Sequence, residues 1–148
     1  MKRFGFIFAM VAMISLVSCE DEPEYTLVNG DYKAEMTDYS HGWKEFMEVT
    51  ITDDKVTAVN YDAKNAGDTL KSSLTVYPMP DPPGLPSAWY PLLEAQYMDA
   101  DPVNYSSDDI DGITGATSTS NKSKDMFGLI AEAAKTGDTS TQMYTPAK

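Results

Sequence analysis

Phe46-Met47-Glu48-Val49-Thr50-Ile51-Thr52-Asp53-Asp54-Lys55-Val56-Thr57-Ala58-Val59-Asn60-Tyr61 is the stretch that decides the fold. Two runs of β-branched and apolar residues flank a short Asp-rich turn, which is the pattern of a β-hairpin. Val49 and Ile51 share one face of the first run. Upstream, Gly30–Met36 alternates, with Tyr32, Ala34 and Met36 facing one way and Asp31, Lys33 and Glu35 the other. That alternation predicts another strand beside the hairpin. Residues 71–77, with Leu74 and Val76 apolar, are expected to add a further short strand.

Downstream the chain changes character. Pro78, Pro80, Pro82, Pro83, Pro86 and Pro91 fall close together. Each fixes φ and removes a backbone donor, so residues 78–91 are read as a loop. A short helix is expected over 91–98, with Pro91 in its first turn, and a polar loop over 99–109. Residues 121–135 carry Met126, Leu129, Ile130, Ala133 and Ala134 at helical spacing. Ser120 or Asn121 can cap this helix, Lys135 suits its last turn, and Gly137 lies just past its end. The Thr-, Ser- and Gln-rich tail, 138–148, is expected to fray. The fold class is therefore α+β: a small antiparallel sheet with a C-terminal helix, in one domain spanning residues 25–137.

The N-terminus is expected to be a processing signal. Lys2 and Arg3 precede a mostly apolar stretch, residues 4–17, shorter than the roughly 20 residues a membrane span needs. Leu16-Val17-Ser18-Cys19 follows, and Cys19 is the only cysteine. The segment resembles the lipobox of bacterial lipoproteins, which implies a signal peptide over 1–18 and acylation of Cys19. Several acyl chains would anchor the protein stably to a bilayer without a transmembrane helix. The alternative is an ordinary signal peptide with an incidental cysteine. Residues 19–24 are acidic and contain Pro23, as a flexible tether would.

Composition excludes several classes. Without Lys2 and Arg3, 9 basic residues face 23 acidic ones, a balance of −14. Nucleic acid, which needs basic patches, is not an expected partner. His41 is the only histidine and the only cysteine is Cys19, so a zinc site of His and Cys is excluded. Asp108, Asp109 and Asp111 lack the ligand spacing of a calcium loop, and no metal site is expected.

The chemistry is expected in Asp111-Gly112-Ile113-Thr114-Gly115-Ala116-Thr117-Ser118-Thr119-Ser120. Asp111, Thr114, Gly115, Ala116 and Thr117 match the Asp-x-x-(Ser/Thr)-Gly-Ala-(Ser/Thr) pattern, and the chain thereby resembles the FMN-binding domain family. Its members include FMN-carrying subunits of the sodium-pumping NADH:quinone reductase and of the Rnf complex, and small extracytoplasmic lipoproteins of electron transfer. The resemblance implies that a magnesium-dependent flavin transferase cleaves FAD and leaves FMN in phosphoester linkage. The acceptor would be the hydroxyl of Thr117. Asp111 would belong to what the transferase recognises.

Physical chemistry is consistent with that implication. A phosphoester needs an alcohol, and Gly115 and Ala116 keep the approach to Thr117 free of bulk. A helix starting near Asn121 would place unpaired N–H groups and a positive dipole end beside the phosphate, typically worth about 0.3–1 kcal/mol. Trp43, Trp89, Tyr90 and Tyr97 could stack on a flavin ring, although packing is the preferred reading of each. His41 is expected to be exposed. The expected function is membrane-anchored extracytoplasmic electron transfer with covalent FMN, between membrane redox partners and an extracytoplasmic acceptor. It is not expected to be a substrate-specific enzyme. The alternatives are a surface lipoprotein acting as a binding module without flavin, and a redox enzyme that reduces a small-molecule acceptor of its own.

Overall fold

The computed structural model describes residues 26–146. The expected signal peptide, Cys19 and the tether lie outside the described residues. Four strands, β1 (Gly30–Met36), β2 (Lys44–Thr52), β3 (Lys55–Lys64) and β4 (Gln142–Tyr144), form one sheet in the order β3-β2-β1-β4. Two helices, α1 (Pro86–Met98) and α2 (Thr117–Thr136), complete an α+β fold. Among the described residues no helix is long and apolar enough to cross a membrane.

The hairpin forms where the sequence places it. Asp53 (φ 52°) and Asp54 (φ 60°) both adopt left-handed backbone, the conformation that joins twisted antiparallel strands in a two-residue turn. Their side chains also anchor the start of the described chain. Asp54 accepts from the Thr26 and Leu27 N–H groups at 2.9 and 2.7 Å. The register sets Tyr32 opposite Val49 and Ala34 opposite Met47, so the predicted apolar face of β1 meets that of β2. This face is buried under the helices; Asp31, Glu48 and Asn60 are exposed.

Both helices rest on that face. Trp89, Tyr90, Leu93 and Tyr97 of α1 are buried, as are Met126, Phe127, Ile130, Ala133 and Ala134 of α2. Burying each large apolar side chain stabilises by about 1.5–3 kcal/mol before chain entropy is counted. That margin explains a difference at α1. The helix begins at Pro86, and the expected first-turn proline, Pro91, lies inside it. An interior proline costs about 3 kcal/mol, which burial of the preceding turn through Trp89 and Tyr90 offsets.

Three other expectations are corrected. Residues 71–77 form no strand: a 3-10 turn occupies Lys71–Ser73, and Val76 is 82% exposed. The Asp62 carboxylate of β3 accepts from both the backbone N–H and the hydroxyl of Ser72, and these bonds override β-propensity. Helix α2 starts at Thr117, so Ser120 and Asn121 lie inside it and do not cap it. The tail does not simply fray. β4 pairs in parallel with β1, Ala34 facing Gln142, and makes the sheet mixed. At its other end α2 stops as expected, with Gly137 left-handed at φ 72°.

The outer face carries one charge network. Glu35 lies 2.6 Å from Lys44 Nζ, 3.5 Å from Lys33 Nζ and 3.9 Å from Lys64 Nζ. Burial alone would raise the Glu35 carboxyl, but the Lys44 hydrogen bond and the three ammonium charges outweigh it and hold it below its ordinary value. A lowered folded-state pKa contributes stability above the unfolded value, lost as pH falls through the folded one. Glu35→Gln is thus expected to be less stable than wild type at neutral pH. The gap should close as urea unfolding is repeated into the acid range below the ordinary carboxylate pKa.

Candidate functional site

The loop before α2 is fixed by backbone geometry. Gly112 (φ 79°) and Gly115 (φ 84°) both occupy the left-handed region. A Cβ on Gly112 would lie 2.8 Å from Ser120 Cβ, and one on Gly115 would lie 2.7 Å from Pro83 Cδ. The Pro-rich segment therefore packs against the motif, and Gly115 is needed for that close approach. Gln96 of α1 pins Gly112 from below, donating to its carbonyl at 3.1 Å and accepting from its N–H at 3.0 Å. Ser120 Oγ accepts from Ile113 N–H at 2.9 Å and donates to the Ala116 carbonyl at 3.0 Å.

This arrangement makes Thr117 the first residue of α2. The first helical hydrogen bond runs from Ser120 N–H to the Ala116 carbonyl at 2.9 Å. No side chain caps the helix, so the N–H groups of Thr117, Ser118 and Thr119 remain available to an anion. The four neighbouring hydroxyls differ sharply. Thr117 and Ser118 are exposed. Thr119 is 8% exposed and Ser120 4%, and both hydroxyls are hydrogen-bonded.

A cleft of about 220 Å³ opens beside Thr117. Residues 115–119 and Lys122 form one side. Ser40, His41, Lys71, Tyr77 and Met79 form the rest, with Glu45. Glu45 is 3% exposed and faces inward at the end of β2, opposite Ala63. Its carboxylate accepts from Tyr61 OH at 2.8 Å, Lys122 Nζ at 3.3 Å and Thr119 Oγ1 at 3.4 Å. Burial, then the Glu45 charge, pushes the Tyr61 phenol well above its ordinary value, and the same two causes lead for Tyr90.

The expected site residues separate. Gly115, Ala116 and Thr117 line the cleft, whereas Asp111 borders an acidic hollow with Gln96, Asp99, Asp101 and Asp109. Thr114 is exposed and lines neither. Trp89, Tyr90 and Tyr97 are core residues, and Trp89 Nε1 and Tyr90 OH are buried without a hydrogen-bond partner among the described residues. Trp43 is partly exposed beside Lys71. Sequence reasoning missed Glu45, Lys71, Tyr77 and Lys122. Charged residues carry no pattern that distinguishes a buried position from a surface one. His41 is exposed, as expected, but at the cleft. Among the described residues no acidic or histidine cluster could hold a metal ion.

A family model described as the FMN-binding domain matches residues 42–130, from the start of β2 to the middle of α2. The chain belongs to the FMN-binding domain family. FMN is thereby its cofactor class, and the chemistry of the cleft lining suits parts of that molecule: free helix N–H groups suit a phosphate, and Tyr77 and Met79 offer apolar surface to a ring. The chain is also similar to a Clostridium perfringens protein of known crystal structure. The two are 27% identical with a TM-score of 0.69, over 82% of this chain and 99% of the other. A solution structure from Clostridium thermocellum is 27% identical with a TM-score of 0.42, over 77% and 94%. No curated protein matches the chain.

Gly112→Ala and Gly115→Ala combine a left-handed backbone with a steric clash. Each is expected to lower stability by about 1–3 kcal/mol, read as a reduced urea midpoint with an unchanged m-value.

Proposed function

We propose that Thr117 carries FMN through a phosphoester and that the protein is a membrane-anchored extracytoplasmic electron carrier. The observation that carries this reading is the contrast among hydroxyls: Thr117 and Ser118 are exposed and line the cleft, while Thr119 and Ser120 are buried and engaged, and of the exposed pair it is Thr117 that stands at the acceptor position of the family pattern. A flavin transferase with magnesium would bring FAD to the loop. The Thr117 oxygen would bond to the FMN phosphorus as the pyrophosphate bond breaks, with AMP as the leaving group and the hydroxyl proton passing to solvent. The free N–H groups at the start of α2 would hold the anionic phosphoester. Asp111, outside the cleft, suits recognition by the transferase better than contact with the flavin.

The flavin supplies the electron-transfer chemistry; this chain supplies attachment, position and electrostatic setting. Acylated Cys19, beyond the described residues, would hold the domain at a bilayer. Membrane redox partners on one side and an extracytoplasmic acceptor on the other complete the relay.

Coexpression with a flavin transferase, export and intact-mass analysis test the reading. Wild type and Thr117→Ser should gain one FMN less water and turn yellow. Thr117→Ala should gain nothing, and Ser118→Ala should behave as wild type. A colourless, unmodified wild type would instead favour the binding-module alternative. Cys19→Ala should move the protein from the membrane to the soluble fraction without altering a flavin attached at Thr117.

A further inference from the structure

Lys71 has an unusual setting for a lysine. The residue is 6% exposed, yet its ammonium makes no hydrogen bond or ion pair with any described residue. Its neighbours are two aromatic rings: Nζ lies 4.9 Å from the Tyr77 centroid and 5.7 Å from that of Trp43. Ring faces attract a cation by about 0.5–2 kcal/mol. Withdrawing an ammonium from water costs several kcal/mol unless an anion answers it. The Lys71 stem is buried while Nζ borders the cleft, so an anion entering the cleft could answer a charge that the rings only partly offset. Lys122, the other lysine lining the cleft, is already answered by Glu45 at 3.3 Å.

The position is also built. Asp62 holds the 3-10 turn through Ser72, and Lys71, Tyr77 and Thr117 line the same cleft. A flavin attached there would bring two anionic groups, the phosphoester and the reduced ring. The phosphoester has the unpaired N–H groups at the start of α2. The reduced ring is left without a partner of opposite charge, and Lys71 without an anion among the described residues.

We propose that Lys71 is the counter-charge for the reduced flavin ring and raises its potential against the acidic background of the chain. The inference rests on flavin occupying this cleft. An electron donor supplies an electron pair and solvent a single proton, so one negative charge stays on the ring. Lys71 stabilises that charge and is a positioning group for electrons, not a catalytic residue.

The test uses flavinylated wild type, Lys71→Gln, Lys71→Met and Lys71→Arg. Reductive titration gives the midpoint potential. Sulfite titration gives an independent readout, because sulfite addition also places negative charge on the ring. Near-UV circular dichroism identifies folded variants, and Met keeps the buried stem should Gln fail to fold. The charge-removing variants should lose about tenfold in preference for the reduced form, about 30 mV for a two-electron couple. Sulfite affinity should fall about tenfold, and Arg should restore both. Unchanged potential and sulfite affinity in a loaded, folded charge-removing variant would overturn the proposal. Poorer flavin loading with an unchanged potential in the loaded fraction would assign Lys71 to the phosphate and overturn it too. A wild type that takes no flavin would overturn this inference and the attachment reading together.

Discussion

The buried Glu45 carboxylate is the constraint on which the cleft depends. A charge out of water is tolerated only with partners, and losing one from a buried pair typically costs about 3–5 kcal/mol. Glu45 finds its partners on two separate elements, Tyr61 on β3 and Thr119 and Lys122 on α2. The same atom set that satisfies the charge therefore fixes the helix N-terminus relative to the hairpin. Thr117 and Ser118 are left at the open side because Ala116 before them and Thr119 after them are held inward. The exposed attachment oxygen is a consequence of the buried ones.

A second clamp acts on the backbone. Gly115 approaches Pro83, Gly112 approaches Ser120, and Gln96 bridges both polar groups of Gly112. The Pro-rich segment, whose prolines limit its own conformations, is thus the stiff wall against which the motif turns. Sheet, α1 and loop all converge on a stretch of a few residues, and the α2 start is their common product.

Much of the scaffold was legible from the residues. The hairpin, β1 and its inward face, and the C-terminal end of α2 followed from period-two alternation and from Gly137. What failed, failed for tertiary reasons. Residues 71–77 have strand-like composition, but Asp62 captures Ser72 and turns the chain. Pro91 looked like a helix start, but Trp89 and Tyr90 gain more by being buried in an earlier turn than the proline costs. Ser120 looked like a cap, but its hydroxyl serves the loop from inside the helix. The motif residues from 115 to 117 were legible by resemblance, whereas Glu45 and Lys71 were not legible at all. Their burial depends on partners brought from distant segments, which no local period records.

The electrostatics of the molecule invert between scales. The whole chain carries a formal charge of −12, and its surface would lower the potential of any group that becomes negative on reduction. Surface charges act through water and salt, with a screening length of about 8–10 Å at ordinary ionic strength. A buried charge is screened far less, so one ammonium in the cleft can outweigh several exposed carboxylates. The cleft contains two lysines and one glutamate, a local balance opposite in sign to that of the chain. The acidic exterior can then favour solubility and partner choice while the interior sets the cofactor's environment. Separating the two roles by depth lets each vary without the other.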